Sequence, residues 1–555
     1  MAELKAIGKF GITQHNNDTS SCTAAISTST TVATTDTATI VMKDNNTLID
    51  NIFIQIKSLQ SNIRSSSSTT TASSTDSLLN FDHNNLTALI NAVLPLLLSD
   101  ELLQIYARTS GMLEALLQLT VALCSVYTST TSTANTTISS TLLSCLQLIA
   151  HIIHNQRSAI LLLLEYKLLP ALKPIQLAAQ SANLPLIHAI SHIYYNSCLN
   201  NIASKVRTII LNDKEIIQNS IELVNSISYR INSENTAITT IEFNILILNT
   251  KLLHFIVFNE EKERNNSILV QLSNMVLLKF ISCLTCALHM ALYYTKQSST
   301  ATTATATSSV TTATTTAVLL SPSEYLELVI EVAVGSSQYE ALRGLFAQKL
   351  PVSENPVNRS SYSASLCRIL LNTLDTYSYL SINIIAILMN ICLENTNIIK
   401  KEILSHQKGL DLATAQLKYT PKQRQDEDPM LLVRKAGLLA RLVSEKPVQD
   451  YLFKVDNYKL LCQRILLTTA DGEGDAQLNK CLYDECTHYI RILASLILPS
   501  AASAAEPYIR IGSECGVPGA LLQVFPTPRR DGGEVTPTSV TLMPAELPPA
   551  LLIGK

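Results

Sequence analysis

Residues 384–417 read IIAILMNICLENTNIIKKEILSHQKGLDLATAQL, and this stretch decides the fold class of the chain. An apolar run ends near Asn390, a short second run follows Asn395, and Gly409 opens a third run that is rich in Leu and Ala. Apolar residues at positions i, i+3, i+4 and i+7 indicate amphipathic helices, and glycine is common at the turn after a helix. The stretch therefore predicts three consecutive helices.

The same order recurs in two segments further along the chain, residues 433–466 and residues 489–525. In each segment a polar residue ends the first apolar run, and a turn residue precedes the third run. These two places hold Arg441 and Asn457 in the first segment, and Ser495 and Gly516 in the second. A pattern that repeats along the chain predicts a repeat protein in which each helical unit packs on the next.

Weaker copies lie upstream. His151, Asn196 and Phe255 end apolar runs as Asn390 does, and Gly111 and Lys167 occupy the turn before a Leu-rich run. These copies extend the repeat pattern to most of the chain.

The repeated segments resemble armadillo repeats, over about 86–290 and 323–525. The spacing of the clear copies exceeds the usual armadillo period of ~40–47 residues by a few loop residues. The resemblance implies an all-α, armadillo/HEAT-like, right-handed α-solenoid superhelix with a concave groove that binds protein partners. In peptide-binding members of the family, a ladder of asparagines clamps an extended peptide. The corresponding candidate groove residues here are Asn196, Asn390, Arg441 and Ser495.

Composition supports an all-α fold. The chain has 555 residues and 15 glycines, but only Gly111 lies between Gly11 and Gly335. Tight β-turns and phosphate-binding loops need glycine, so that region is expected to be helical. The formal net charge is −3 and charged residues make up 15% of the chain, which excludes a polybasic nucleic-acid binder.

Biased composition divides the chain into five regions. We expect a largely disordered N-terminal region at 1–80, with a short helix near 47–63, and a first block of armadillo-like repeats at 81–296. A Ser/Thr/Ala-rich disordered insert at 297–320 separates this block from a second block of repeats at 321–525. A Pro-rich extended tail follows at 526–555. Tracts rich in Ser and Thr, at 17–40, 65–77, 127–141 and 297–317, are predicted to be loops because they bury too little apolar surface to offset their ordering entropy. The charged residues 418–428 favour a solvated loop, with a partner-docking loop as the alternative.

No enzyme motif is present: there is no Gly-rich nucleotide loop, no nucleophile elbow and no zinc-protease helix motif. The chain is therefore expected to be no enzyme, with no catalytic residue, cofactor or metal. Three groups have ligand-like spacing, but each is more simply explained as part of a core or a helix surface. They are His188 with His192, Cys283 with Cys286 and His289, and Cys481 with Cys486 and His488.

These observations predict a non-enzymatic scaffold or adaptor that binds protein partners, not nucleic acid. The alternatives are a co-chaperone or assembly factor, resembling myosin chaperones, heat-shock-chaperone exchange factors or dynein-assembly factors, and a small-GTPase regulator or nuclear-transport adaptor. The absence of an N-terminal signal peptide and the twelve scattered cysteines predict a cytoplasmic protein, with the nucleus as a second location. Residues 275–294 are the only borderline membrane segment and are expected to form a buried helix. The partner and the oligomeric state stay open.

Overall fold

The structure is a computed structural model, which describes residues 47–58, 83–99, 101–129, 135–154, 156–179, 183–199, 204–234, 238–258, 268–301, 319–348, 364–374, 376–393, 397–406, 408–469, 476–497 and 502–519. The predicted tail at 526–555 and the Ser/Thr tracts at 17–40 and 65–77 lie outside these residues. Within the described ranges the chain is helical and forms no β-strand. The all-α prediction is therefore confirmed for this part of the chain.

The helices of the N-terminal half are α1 (47–58), α2 (His83–Ser99), α3 (Glu101–Thr109), α4 (Met112–Ser129), α5 (Asn135–Ile152), α6 (Arg157–Glu165), α7 (Leu168–Ala179), α8 (Leu184–Leu199), α9 (Ser204–Leu211), α10 (Lys214–Glu234), α11 (Thr240–Val257), α12 (Ile268–Gln271) and α13 (Asn274–Ala301).

The helices of the C-terminal half are α14 (Pro322–Ser337), α15 (Glu340–Arg343), α16 (Leu366–Leu374), α17 (Ser381–Ile391), α18 (Asn397–Ser405), α19 (Gly409–Thr414), α20 (Pro421–Asp426), α21 (Pro429–Leu442), α22 (Lys446–Leu452), α23 (Val455–Thr469), α24 (Ala476–Ile497) and α25 (Ala502–Glu514). Short 3₁₀ turns, at Gly344–Ala347, Ser378–Leu380 and Ala415–Lys418, adjoin α15, α17 and α19.

The helices form two series that pack in chain order. In the first series, α2, α5, α8, α11, α14, α17, α21 and α24 each contact the next member. In the second series, α4, α7, α10, α13 and α16 do the same. Each helix of the second series also packs against the first-series helix that follows it, such as α4 against α5 and α10 against α11. Most of the helix packing thus joins helices of the same unit or of the unit next to it in the chain.

Aliphatic side chains fill the space between the two series. One continuous cluster of buried residues runs from Ile49 in α1 to Val517 after α25, and it consists mostly of Leu, Ile, Val and Ala. Rings are few in it, and those that are fully buried include Tyr194 in α8 and Phe280 in α13. Stability must therefore come from many small apolar contacts, as expected for stacked helical units.

Three turns share a left-handed backbone. Gly111 has φ 81°, Lys167 has φ 56° and Gly516 has φ 78°. The sequence comparison placed all three at the same point of the repeat, immediately before a Leu-rich run, and the common conformation agrees with that alignment. Lysine carries a Cβ that disfavours this conformation, so Lys167 is held there by the packing of α6 and α7.

Gly409 is required for a different reason. Its φ is not left-handed, but a Cβ atom at this position would lie 1.8 Å from the carbonyl oxygen of Ile403. The close approach lets α18 turn sharply into α19. The turn that Gly409 was predicted to open is present, and sterics, rather than backbone dihedral, demand glycine there.

Local sequence signals start the longer helices. Thr239 with Glu242 and Ser321 with Glu324 form capping boxes at the start of α11 and α14. In each box the hydroxyl accepts a bond from a backbone N–H that the helix leaves unpaired, and the glutamate accepts one in return. Asp428 caps α21 by accepting bonds from the N–H groups of its first turn.

Two of the Ser/Thr tracts are partly helical, which corrects the prediction of loops. Tract 127–141 contains the end of α4 and the start of α5, and tract 297–317 begins inside α13, which continues to Ala301. In α5 the hydroxyl of Thr141 bonds back to the carbonyl of Thr137 within the helix. It also lies 3.1 Å from the hydroxyl of Thr87 in α2. Threonine here serves a packed interface, so composition alone gave the wrong answer.

The loop predicted over residues 418–428 is also wrong. Pro421–Asp426 is the short helix α20, and a capping box between Thr420 and Gln423 starts it. Arg424 extends from this helix to a buried partner, Glu485 in α24. The charged segment is therefore anchored to the core rather than only solvated.

Two helices of the described chain, Thr240–Val257 and Asn274–Gln297, are long and apolar enough to cross a membrane. The bent pair Leu102–Thr109 and Met112–Thr128 would add a third if it acted as one span. The expectation that 275–294 is the only borderline segment is therefore incomplete. In this structure most residues of both helices are buried against neighbouring helices.

Candidate partner-binding surface

Three first-series helices, α8, α14 and α24, each leave a narrow line of side chains in contact with solvent. On α8 the line consists of His188, His192 and Tyr195. On α14 it consists of Glu324, Glu327 and Glu331, and on α24 of Asp484, His488, Arg491 and Ser495. Positions three or four apart lie on one side of a helix, so each line follows a single helix face. The other first-series helices from α5 to α21 add half-buried side chains between these lines: His151 on α5, Lys251, His254 and Phe255 on α11, Asn390 on α17 and Arg441 on α21. We call the lines and these side chains together the stripe surface.

Contacts between neighbouring helices join the lines into one surface. The ring centroids of His151 on α5 and His192 on α8 are 5.7 Å apart. Those of Tyr195 on α8 and Phe255 on α11 are 6.0 Å apart in a stacked arrangement. The stripe surface is therefore continuous from α5 to α11. The contact of His254 with Glu331 extends it to α14, and the bond between Asn390 and Ser337 joins α14 to α17.

The surface begins with a cluster of histidines. His188 and His192 lie one turn apart on α8, with ring centroids separated by 6.0 Å, and His151 contacts His192 from α5. Burial and repulsion from the neighbouring rings lower the pKa of His192 to about 3. Burial also lowers the pKa of His151 and of His188. The three imidazoles are therefore neutral at neutral pH.

Half-buried rings and cations lie next on the stripe surface, where α11 meets α8 and α9. Lys251 lies 5.1 Å from the ring centroid of Tyr195, and Arg207 of α9 lies 5.1 Å from that of Phe255. His254 contacts Phe258, with centroids 4.6 Å apart. Rings that are partly exposed and held by cations present flat apolar area to a bound chain at a small entropic cost.

The line on α14 is acidic. The backbone N–H and the hydroxyl of Ser321 donate to Glu324 and lower its pKa. Glu331 lies 3.3 Å from the Nε2 atom of His254 on α11. Burial and the charges of Glu331 and Glu324 raise the pKa of Glu327. Three carboxylates along one exposed face give this part of the surface a negative potential.

The line on α21 and α24 is basic. Burial, Arg491 and Arg441 lower the pKa of His488 to about 4, which places both guanidinium groups near the imidazole. A Cβ atom on Gly437 of α21 would lie 2.5 Å from the Sδ atom of Met389 and 3.1 Å from the Nε2 atom of His488. Glycine thus lets α17, α21 and α24 approach closely around His488, the imidazole that both arginines influence.

Asn196 is the sequence candidate that the structure buries. Its side chain is fully buried, its Nδ2 atom donates to the carbonyl of Ala150 at 2.8 Å, and its Oδ1 atom lies 3.3 Å from His154 Nδ1. Both ends of the amide therefore join α8 to the end of α5. In this arrangement the amide has no surface through which it can hold a peptide.

The other three candidates lie on the stripe surface. Asn390 is half-buried, and its Nδ2 atom donates to the hydroxyl of Ser337 at 3.0 Å. Arg441 is half-buried and Ser495 is exposed. The structure therefore places Asn390, Arg441 and Ser495 on neighbouring helices of one surface, with Asn196 beneath it.

Sequence reasoning missed the acidic and aromatic residues of this surface. The signal for the carboxylates was present, because Glu324, Glu327 and Glu331 have the spacing of one helix face within an otherwise apolar helix. The contact between Tyr195 and Phe255 had no such signal, since it joins two helices whose relative register only the packed structure reveals.

The ligand-like groups do not assemble a metal site. Among the described residues, no group of three or more His, Cys, Asp or Glu side chains is placed to hold a metal ion. Cys283, Cys286, Cys481 and Cys486 are buried free thiols, and burial raises the pKa of each. Protonated thiols are poor metal ligands and poor nucleophiles.

The chain matches no protein-family model and no curated protein.

Proposed function

We propose that this protein is a non-enzymatic, armadillo-like α-solenoid that binds protein partners as a scaffold or adaptor, with the stripe surface lining its concave groove. The observation that carries the proposal is the continuity of that surface across the first-series helices. A surface of this length and mixed chemistry suits an extended protein segment better than a small molecule, which needs a closed pocket. The helices of one unit, such as α6, α7 and α8, are one short helix followed by two longer ones, which agrees with the repeat pattern in the sequence.

Affinity capture from cell extract, followed by mass spectrometry, tests the proposal. Wild-type protein is compared with the double variant Asn390→Ala, Arg441→Ala, which removes two half-buried polar side chains from the surface. We expect the variant to lose the main partner by a factor of ~10 or more, because side chains at the centre of an interface dominate binding energy.

A matched control separates binding from folding. The double variant Lys459→Ala, Arg510→Ala changes two exposed side chains on α23 and α25, outside the first series. It should retain the partner, and both variants should keep wild-type helix content by circular dichroism. Retention of the partner by the first variant would place the binding site elsewhere on the molecule.

A further inference from the structure

The stripe surface changes sign along its length. Its middle, on α14, carries Glu324, Glu327 and Glu331. Its C-terminal part carries Arg441 on α21 and Arg491 on α24, with Asp484 at the far end of the α24 line. The helix α17 between them contributes the neutral Asn390. The two charged parts thus lie on the same face and are separated by a polar, uncharged step.

Aromatic side chains adjoin the acidic part on both sides. Tyr379, next to α17, is 54% exposed, and burial of its hydroxyl together with the nearby carboxylate of Glu327 raises its pKa. On the other side, Phe255 of α11 and Phe258 just after it are half-buried beside His254. Lysine and arginine side chains favour such a setting, since a carboxylate attracts their charge and a ring face binds their cationic head group.

We propose that the stripe surface binds an extended partner segment that carries both charges, with lysine or arginine side chains over α14 and aspartate or glutamate side chains over α21 and α24. This inference rests on the proposed function and adds the chemistry of the partner to it. Adjacent packed helices lie ~8–10 Å apart, so α14 and α21 are separated by roughly 20 Å. An extended chain covers that distance in about six residues.

Segments of uniform charge fit the surface less well. A wholly basic segment would place cations against Arg441 and Arg491, and a wholly acidic one would place carboxylates against Glu327 and Glu331. Like charges brought together at an interface oppose binding, so the sign change selects against both. A nucleic-acid strand, whose phosphates are all negative, is disfavoured by the same argument.

Fluorescence anisotropy with three synthetic peptides of equal length tests the charge pattern. The two-charge peptide carries a lysine pair and, about six neutral residues later, an aspartate pair; the other two carry lysine pairs or aspartate pairs at both places. At low ionic strength, where charge pairing is least screened, we expect full-length protein to bind the two-charge peptide ~10-fold more tightly than either of the others.

Two charge-reversed variants then identify the residues responsible. Arg441→Glu with Arg491→Glu makes both parts of the surface acidic and should give a preference for the lysine peptide. Glu327→Lys with Glu331→Lys makes both parts basic and should give a preference for the aspartate peptide; it leaves Glu324 in place because that residue caps α14. A control that combines Glu165→Lys with Lys459→Glu, at exposed sites outside the first series, should keep the wild-type preference. Circular dichroism confirms that the variants are folded.

Equal affinity for the three peptides, no binding of the two-charge peptide, or an unchanged preference in the folded charge-reversed variants would overturn the inference. If a charge-reversed variant is unfolded, the pairs Glu327→Gln, Glu331→Gln and Arg441→Gln, Arg491→Gln decide, because the first should abolish the preference over the aspartate peptide and the second the preference over the lysine peptide. Failure of this inference is distinct from failure of the proposed function. A partner that is captured from extract and lost from the Asn390→Ala, Arg441→Ala variant would uphold the groove even when the charge pattern of the peptide has no effect.

Discussion

The first and last helical units have the same helix order but are held together by different chemistry. Near the N-terminus, neutral side chains join the first-series helices: Ser144 of α5 bonds to Asn91 of α2, and Asn249 of α11 bonds to Ser191 of α8 at 2.9 Å. Near the C-terminus, buried charges join neighbouring helices, as the pair of Arg230 with buried Glu242 does between α10 and α11. Arg424 forms a two-point ion pair with Glu485, which itself is almost fully buried.

Other charges reinforce the C-terminal units. Arg464 of α23 donates from two nitrogens to the carbonyl of Leu417, and Lys435 of α21 lies 3.1 Å from Glu427. Tyr489 donates to Glu485 at 2.9 Å. Loss of a neutral hydrogen bond costs ~1–3 kcal/mol when its partner stays buried, whereas a buried ion that loses its partner costs ~3–5 kcal/mol. One architecture therefore contains regions with very different sensitivity to substitution.

The largest effect is expected at Glu485. Changing Glu485→Ala leaves the guanidinium of Arg424 buried without its counter-ion, which should lower the free energy of unfolding by ~3–5 kcal/mol. Urea unfolding of the full-length protein, followed by circular dichroism, measures this change.

The exposed ion pair between Arg510 and Glu514 on α25 provides the control, with side chains 81% and 59% exposed. Glu514→Ala should change stability by less than ~0.5 kcal/mol, because solvent screens an exposed pair. Equal effects of the two substitutions would show that the Arg424 pair is not buried in solution.

The two asparagines of the repeat pattern should differ next. Asn196→Ala leaves the buried carbonyl of Ala150 without its donor and should destabilise the protein by ~2 kcal/mol. Asn390→Ala affects a half-buried site and should cost less than ~1 kcal/mol. Partner capture should show the reverse order, with Asn390→Ala the more damaging change. A greater loss of stability for Asn390→Ala would contradict the assignment of the two roles.

Acid should weaken the N-terminal units through the histidine cluster. The folded-state pKa of His192, about 3, lies below its ordinary value of 6.5, so the folded protein binds fewer protons than the unfolded chain between these values. The stabilisation is complete above pH ~6.5 and is lost as the pH falls, by about 1.5 kcal/mol between pH 6.5 and 5 from this residue alone.

The variant His192→Gln measures that contribution, because glutamine does not titrate. Urea unfolding at a series of pH values should give a flatter pH dependence for the variant than for wild type. Parallel curves would mean that His192 is protonated as easily in the folded protein as in the unfolded chain. His488 keeps a comparable dependence in the C-terminal units, since burial lowers its pKa as well.

The smallest effect is expected at Lys167, where the substitution should stabilise the protein. Lys167→Gly relieves a left-handed conformation that disfavours side chains, and it should raise the free energy of unfolding by ~1 kcal/mol or less. Gly111→Ala, at the equivalent turn, should lower it by a similar amount, because alanine disfavours the left-handed conformation of Gly111. The effect stays small because the ring of Phe53 leaves room for the added methyl group. Thermal denaturation measures both changes. A less stable Lys167→Gly variant or a more stable Gly111→Ala variant would show that the two turns are not equivalent.

Helix content and helix order followed from the sequence because they depend on local patterns. The apolar period and the scarcity of glycine predicted the helical regions, and the turn residues aligned Gly111 with Lys167 correctly. The tract at 127–141 was misjudged, since serine and threonine enter helices when their hydroxyls bond to the helix backbone and pack on a neighbour. That neighbour, α2, is distant in the sequence.

The candidate surface was predictable only in part. Asn196 and Asn390 both end an apolar run of the repeat pattern, so the sequence placed them at equivalent positions. Their burial differs, because Asn196 bonds to Ala150 and His154 beneath the surface. Partners that lie one unit away along the chain have no signature in a single sequence. The pair formed by Arg424 and Glu485 was missed for the same reason.

The packing of each helix on its neighbours has a consequence for the segment that joins α13 to α14. These two helices contact each other directly, so they stay packed together whatever joins them. Lengthening a connection between fixed ends costs only ~0.6 kcal/mol for each doubling. A fluorescent protein inserted between residues 302 and 318 would therefore report on the intact molecule from its centre, without a tag at either terminus.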